Sequence, residues 1–307
     1  MGPLHFLIYI NNLYKAIHYS HVYHFADDTN LLNISNSPKQ LQKQINIDLK
    51  LLYKWLLANK ISLNCSKTEL IIFQKPGSRL NFNFKIKMNG HKLSPADYIK
   101  YLGVYLDSKL NGSRHCALLS AKLNRANGML SKIRHYVNAE DLRSIYHAIF
   151  SSHMVYGAQV WGQSLCKHND NILRLQNKAM RILSFANYRD DANPHYIKHK
   201  ILKISDHVQL QNCLFVYDYI KENLPDSFSD YFTKTKDFYM TETVNSGLGC
   251  LFTPFAHTTR YGLNSITRKC ITSWNYFSKL FNVDLSSLGR RTLKGKITEF
   301  YLGQYEI

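Results

Sequence analysis

The stretch His21-Val22-Tyr23-His24-Phe25-Ala26-Asp27-Asp28-Thr29-Asn30-Leu31-Leu32-Asn33-Ile34 decides how the rest of the chain is read. Its two ends, residues 21–25 and 31–34, are short β-type runs, and residues 26–30 between them are turn-forming. The spacing predicts a hairpin with two adjacent carboxylates, Asp27 and Asp28, at its tip. Carboxylates held at contact distance repel each other unless they share a proton or bind a divalent cation. Hard oxygen ligands of this kind suit Mg²⁺, which also binds substrate phosphates. Taken alone, two aspartates at a turn read more simply as a solvated turn, so the surroundings must decide.

Upstream, after Gly2-Pro3, an apolar run from Leu4 to Leu13 is ambiguous between a buried helix and a strand. Downstream, Ser37-Pro38 predicts a helix start, with Leu41, Ile45, Leu49, Leu52 and Leu56 striping one face. Then come strand-like Leu70-Ile71-Ile72-Phe73, a Pro76-Gly77 turn, alternating Phe82, Phe84, Ile86 and Met88, an Asn89-Gly90 turn, and a run from Tyr98 to Leu106. Residues 20–106 therefore read as hairpin, helix and three strands, an α+β module with an antiparallel sheet. From Asn111 the pattern is helical, with helices expected near 113–136, 139–156, 168–186 and 205–223, broken by Asn138, Gly157, Gly162 and Asn193-Pro194. The region from Pro225 is mixed in character. The expected domains are 1–110, 111–224 and 225–307.

The 307 residues carry 39 Lys and Arg against 21 Asp and Glu, a formal net charge of +18. That excess is divided between residues 1–110 (+8) and 111–307 (+10), so it is no terminal tail. A chain this basic calls for a polyanionic partner, and nucleic acid is the first expectation. A membrane is disfavoured, because no apolar run reaches the length of a span and the N-terminus lacks the marks of a signal peptide. The cysteines form no CxxC pair and read as reduced intracellular thiols. Nucleus and cytoplasm are not distinguished. Between Asp107 and Glu140 there is no acidic residue, while Lys109, Arg114, Lys122, Arg125, Lys132 and Arg134 fall there. Leu118, Leu119, Leu123, Met129, Leu130 and Ile133 recur in the same segment at helical spacing. This is a basic amphipathic helix, readable as a solvated face or as a surface for phosphates.

Phe25-Ala26-Asp27-Asp28, followed by Thr29-Asn30-Leu31-Leu32, resembles the catalytic aromatic-Ala-Asp-Asp motif of reverse transcriptases, specifically those of LINE-type (non-LTR) retrotransposons. The run from Gly2 to Leu13 is similar to the segment that precedes this hairpin in that family. Leu63-Asn64-Cys65-Ser66-Lys67-Thr68-Glu69 resembles its LNxxKT segment, and Tyr101-Leu102-Gly103-Val104 its primer-grip turn. Weaker similarities, at Trp161-Gly162, Leu175 to Ile182 and Trp274-Asn275, continue through most of the chain.

The resemblance implies a partial polymerase palm, then a mostly helical thumb and a C-terminal region. It implies RNA-directed DNA synthesis by two-metal nucleotidyl transfer, with Mg²⁺ as cofactor and RNA template, DNA primer and dNTP as partners. Asp27 and Asp28 match the metal-binding pair, Asp27 being the direct ligand, and Lys67 matches the lysine that serves the leaving pyrophosphate. Tyr101, Leu102, Gly103 and Val104 would hold the primer end, and Arg114, Lys122, Arg125, Lys132 and Arg134 would face phosphates. A further carboxylate is expected from an earlier palm strand, yet none of residues 1–26 is acidic. The expectation is therefore a family fragment, N-terminally truncated and without its fingers, inactive alone. A non-catalytic nucleic-acid-binding remnant and a decayed reading frame without function stay open beside it.

Other constellations weigh less. His18, His21 and His24 lack a fourth zinc ligand, and strand geometry sends His21 and His24 to opposite faces. Asp190-Asp191 reads as a solvated turn. Trp55, Trp161 and Trp274 read as core.

Overall fold

The computed structural model describes residues 2–74, 82–163, 168–235, 247–252 and 260–306. The expected Pro76-Gly77 turn and Cys166 lie outside the described residues. The chain divides into two compact units, 1–101 with 106–110, and 102–105 with 111–307. Its class is α+β.

In the first unit, the ambiguous apolar run is α-helix, α1 (Gly2–Ile10), with a 3₁₀ turn at Leu13–Ala16. Hairpin strands β1 (His21–Phe25) and β2 (Asp28–Leu32) follow, then α2 (Pro38–Ala58). The expected stripe of α2 faces inward: Ile45, Leu49, Leu52 and Leu56 are buried, in one core with Ile10, Leu13, Phe84, Ile86, Met88 and Leu93. Burying such side chains contributes about 1.5–3 kcal/mol each, which is what holds α2 on its neighbours. Ser37 precedes the helix in extended conformation, but its side chain makes no capping bond.

Two expectations are corrected here. The hairpin tip is not 26–30: β2 begins at Asp28, paired with Phe25, and the connection is only Ala26-Asp27. Ala26 makes this possible by taking φ +53°, in the left-handed region. The strand region is also not a single antiparallel sheet. It consists of two-stranded pieces, namely β1 with β2, β3 (Leu70–Ile71) parallel to β6 (Pro95–Ala96), β4 (Ile86–Met88) antiparallel to β5 (His91–Leu93), and β7 (Tyr98–Tyr101) with β8 (Val104–Asp107). Pro95 has no N–H to give to a ladder, which keeps β6 from serving as a central strand. The Asn89-Gly90 turn joins β4 and β5 as expected, both residues at positive φ.

The second unit is helical. It contains α3 (Ser113–Ile133), α4 (Ala139–Tyr146), a π-helical turn (His147–Ser151), α5 (Ser152–Val155), α6 (Ala158–Trp161), α7 (His168–Leu183), α8 (Asn193–His199) and α9 (Ile204–Ile220). Helices Ile266–Phe281 and Arg290–Gln304 supply order in the region that the sequence left unassigned. The expected 139–156 helix is interrupted by the π turn, and Asn193-Pro194 opens α8 instead of only breaking a helix, as Pro in a first turn permits. A single core runs from Cys116 and Leu119 through Tyr146, Trp161, Met180 and Tyr196 to Trp274, Phe277 and Tyr301. Trp161 and Trp274 are thus core residues, and Trp55 packs against the core of the first unit.

Candidate functional site

The hairpin positions the two aspartates by its alternation. Val22, His24, Thr29 and Leu31 are half-buried, Val22 and Leu31 packing on the first unit's core, and the His24 ring lies 3.2 Å from the Thr29 hydroxyl across the ladder. Burial pushes the His24 pKa down. The other face carries Tyr23, Phe25 and Asp28, all exposed, with the Phe25 ring 62% exposed. Asp27 stands in the turn, also exposed. Among the described residues neither aspartate is held in an ion pair.

The root of the hairpin is tied to a carboxylate outside the Asp27-Asp28 pair. Asp48 lies on the buried face of α2, fully buried. Its Oδ1 accepts from the backbone N–H of His18 (3.1 Å) and Tyr19 (3.2 Å), and its Oδ2 from Tyr19 N–H (3.2 Å) and the Ser20 hydroxyl (2.6 Å). Asn33 Nδ2 in turn donates to Ser20 Oγ at 3.3 Å. Ser20 precedes β1 and Asn33 follows β2, so one buried side chain organises both ends of the hairpin. The signal was legible: Asp48 falls three residues after Ile45 and next to Leu49, within the apolar stripe, where an acidic residue is out of place unless hydrogen-bonded.

Lys67 closes a 3₁₀ turn, Cys65–Lys67, whose start is capped by the Asn64 side chain accepting from Ser66 N–H. It is exposed and is not brought into an ion pair with Asp27 or Asp28 among the described residues. No group of three or more His, Cys, Asp or Glu side chains able to hold a metal occurs among the described residues. The hairpin thus offers two hard carboxylates and no third.

The turn at 102–105 belongs to the second unit and is built tightly. Leu102 and Gly103 have φ of +43° and +84°. Tyr156 donates its hydroxyl to the Leu102 carbonyl at 2.7 Å, and a Cβ on Gly103 would fall 2.9 Å from Tyr156 Cε1. Gly157, at φ +61°, lies so close to Val104 that a Cβ there would be 2.8 Å from Val104 Cγ2. Tyr105 N–H donates to His115 Nδ1 at 3.3 Å, and the His115 ring packs 5.5 Å from that of Trp161. Burial, with Lys122 adding to it, lowers the His115 pKa, so the ring is held neutral and acts as an acceptor. Tyr156, Gly157 and His115 were not foreseen as supports of this turn, because only the fold brings them to it. The expected four-residue element is divided, with Tyr101 ending β7 and 102–104 seated against Tyr156-Gly157.

Helix α3 presents its apolar stripe inward, with Leu119, Leu123 and Leu130 buried, while Leu118 is half-buried and Met129 exposed. On its outer side Lys122, Arg125 and Lys132 line an open groove of about 740 Å³. Ala126, Gly128 and Met129 of α3 and Ala148, Ile149 and His153 of the π turn and α5 complete it. Among the described residues no carboxylate lines this groove. A Cβ on Gly128 would meet nothing within 4 Å, so the helix backbone is bare to the groove there. Three of the five expected phosphate-facing cations are therefore gathered in one channel. Arg114 sits in the first turn of α3 outside it, and Arg134 lies over the Phe185 ring, 5.5 Å from its centroid. No helix among the described residues is long and apolar enough to cross a membrane.

Comparison with known proteins points in one direction. The chain is 26% identical over 194 residues to the RNA-directed DNA polymerase from mobile element jockey of Drosophila funebris, covering 60% of this chain and 20% of that protein. It is 27% identical over 186 residues to the retrovirus-related Pol polyprotein from type-1 retrotransposable element R1 4 of Nasonia vitripennis, covering 54% and 46%. Over 89 residues it is 34% identical to the probable RNA-directed DNA polymerase from transposon X-element of Drosophila melanogaster, covering 28% and 10%. The resemblance to non-LTR retrotransposon enzymes is borne out at this modest identity. The chain spans about a fifth of the length of the jockey polymerases it matches. No family model and no solved structure matches it.

Proposed function

We propose that this chain is the part of an RNA-directed DNA polymerase that carries the metal-binding aspartates and holds the nucleic acid. In this reading residues 1–110 are the later part of a palm, and residues 111–224 a thumb and connector. The observation that supports it most is the Asp27-Asp28 pair on a hairpin rooted by buried Asp48, in a chain similar to enzymes of that name. Mg²⁺ binds through one or two carboxylates and keeps its remaining positions for water and substrate phosphates, so this donor pair fits one such ion. When bound, the ion supplies positive charge for the oxygens of a transferring phosphoryl group.

The chain's own residues divide the remaining work. Asp27, in the turn, is the direct ligand, and Asp28, at the start of β2, shares the site. Lys67 serves the leaving pyrophosphate of a dNTP with charge or a proton. The backbone at Tyr101, Leu102, Gly103 and Val104 holds the primer end, kept in place by Tyr156 and His115. Lys122, Arg125 and Lys132 hold phosphates of the RNA template and DNA primer along the groove, with Arg114 and Arg134 extending the contact.

A two-metal site needs a further carboxylate, and residues 1–26 contain none. By this account the 307 residues alone bind nucleic acid without extending a primer. A second reading, nucleic-acid binding without catalysis, is favoured by the groove, which functions without a metal. Mn²⁺ binding followed by electron paramagnetic resonance separates the two. Wild type is expected to bind an ion that Asp27→Asn/Asp28→Asn does not; equal binding by both proteins would remove the catalytic reading and leave the groove standing.

A further inference from the structure

We propose that Phe185, with Arg134 and His135 beside it, forms a stacking platform for an unpaired nucleotide. The proposal rests on the nucleic-acid-holding reading above and goes beyond it, because this cluster is not part of the α3 groove and suits a different form of nucleic acid. Helix α7 ends at Leu183, and the turn after it is closed by Phe185 N–H to Ile182 O and Ala186 N–H to Arg181 O at 2.9 Å. That closure puts Phe185 at φ +55°, a position that glycine ordinarily fills at a helix C-terminus. A large aromatic stands there instead, and its side chain is 53% exposed, so core packing does not account for it.

The environment of the ring specifies a ligand. The Arg134 guanidinium lies 5.5 Å from the ring centroid, and the His135 ring stands nearly edge-on at 6.4 Å, 76° between planes. Arg134 Nε also donates to His135 Nε2 at 3.3 Å, which fixes the pair. Tyr136 follows at 87% exposure and Tyr188, three residues beyond Phe185, at 80%. The loop bearing Tyr188 is itself ordered: Asn187 N–H donates to Asp190 Oδ2 at 2.7 Å, and Arg181 Nε to the Asp190 carbonyl at 2.6 Å. The Asp190 carboxylate is thereby engaged, while Asp191 is exposed.

Exposed rings interleaved with Arg134 and Arg189 match a strand whose bases are free to stack and whose phosphates are anionic. A duplex offers such rings little, since its bases are already stacked inside and it presents phosphates to the protein. Single-stranded RNA or DNA is therefore the occupant, and the groove and the platform would divide paired from unpaired segments between them.

The test uses the full chain and fluorescence anisotropy with labelled oligo(dT) of about 15 nucleotides, against a labelled hairpin duplex. Phe185→Ala and Phe185→Leu should each lower single-strand affinity at least about fivefold, the size expected for loss of one stacked base. Duplex affinity should stay unchanged. Phe185→Trp should keep single-strand affinity, and its added fluorescence should be quenched by oligo(dT). Unchanged single-strand affinity in both Phe185→Ala and Phe185→Leu, or equal losses on the two probes, would overturn the platform. If wild type binds neither probe, the underlying nucleic-acid reading fails with it. Binding that ignores Phe185 sinks the platform alone.

Discussion

Removing the three groove cations together, as Lys122→Gln/Arg125→Gln/Lys132→Gln, isolates what the groove does. All three side chains are exposed and line one channel in which no carboxylate stands among the described residues, so the substitutions remove charge and little packing. Each is expected to change stability by less than about 0.5 kcal/mol, checked by an unchanged Tm. Each phosphate contact contributes about 0.9 to the slope of log affinity against log salt on duplex, so three contribute about 2.7. Over a fourfold rise in salt, from about 50 to about 200 mM, wild type should then lose roughly 40-fold more affinity for an RNA–DNA hybrid than the triple variant does. The assay is anisotropy on a labelled hybrid across that range. Lys198, Lys279 and Lys294, also exposed in the second unit, form the control set when changed to Gln. A slope that is unaltered in the groove variant, or one that falls as far in the control, refutes the assignment of phosphate contact to this face of α3.

Other consequences follow from the supports of the two turns. Asp48→Ala leaves the N–H groups of His18 and Tyr19 without their acceptor and should destabilise the protein by on the order of 3 kcal/mol; hydrogen exchange should speed up first at 18–20 and in β1, with Asp48→Asn intermediate. Gly103→Ala places a Cβ 2.9 Å from Tyr156 Cε1 at a φ of +84° and should cost about 1–3 kcal/mol, read as a lowered Tm. His115 is held neutral by burial, so its folded pKa lies below the ordinary value of 6.5 and the unfolded chain takes up its proton first. The stability it contributes is full above that value and is lost as pH falls through it toward the folded pKa. Buried His199 and half-buried His207, whose pKa values burial also lowers, act in the same sense. Denaturant midpoints measured from about pH 7 to about pH 5 should fall, and less steeply in His115→Gln.

The elements with strong local signals were readable from sequence. The α2 stripe, the Asn89-Gly90 turn and the α3 periodicity depend on residues adjacent along the chain, and each sits where its pattern places it except at Met129, which is exposed. The hairpin was readable in kind but not in length, because nothing in Ala26 announces a left-handed residue. The sheet was not readable, since whether Leu70-Ile71 pairs in parallel with Pro95-Ala96 depends on contacts that periodicity does not encode. The candidate site divides in the same way. Asp27, Asp28, Lys122, Arg125 and Lys132 stand out by local sequence, whereas Tyr156, Gly157 and His115 acquire their roles only when the helices of the second unit pack. Asp48 lies between these cases, visible as a misplaced charge in an apolar stripe but interpretable only once its partners at 18–20 are known.

As proposed above, these residues hold a primer–template and carry a metal-binding aspartate pair without extending a primer on their own. The most direct test is a primer-extension reaction with the purified 307-residue chain, Mg²⁺, dNTPs and an RNA-templated DNA primer, with binding of the same hybrid measured in parallel. Salt-sensitive binding and no incorporation are the expected outcome. Robust dNTP incorporation that is abolished by Asp27→Ala would contradict it, as would a failure to bind the hybrid at low salt.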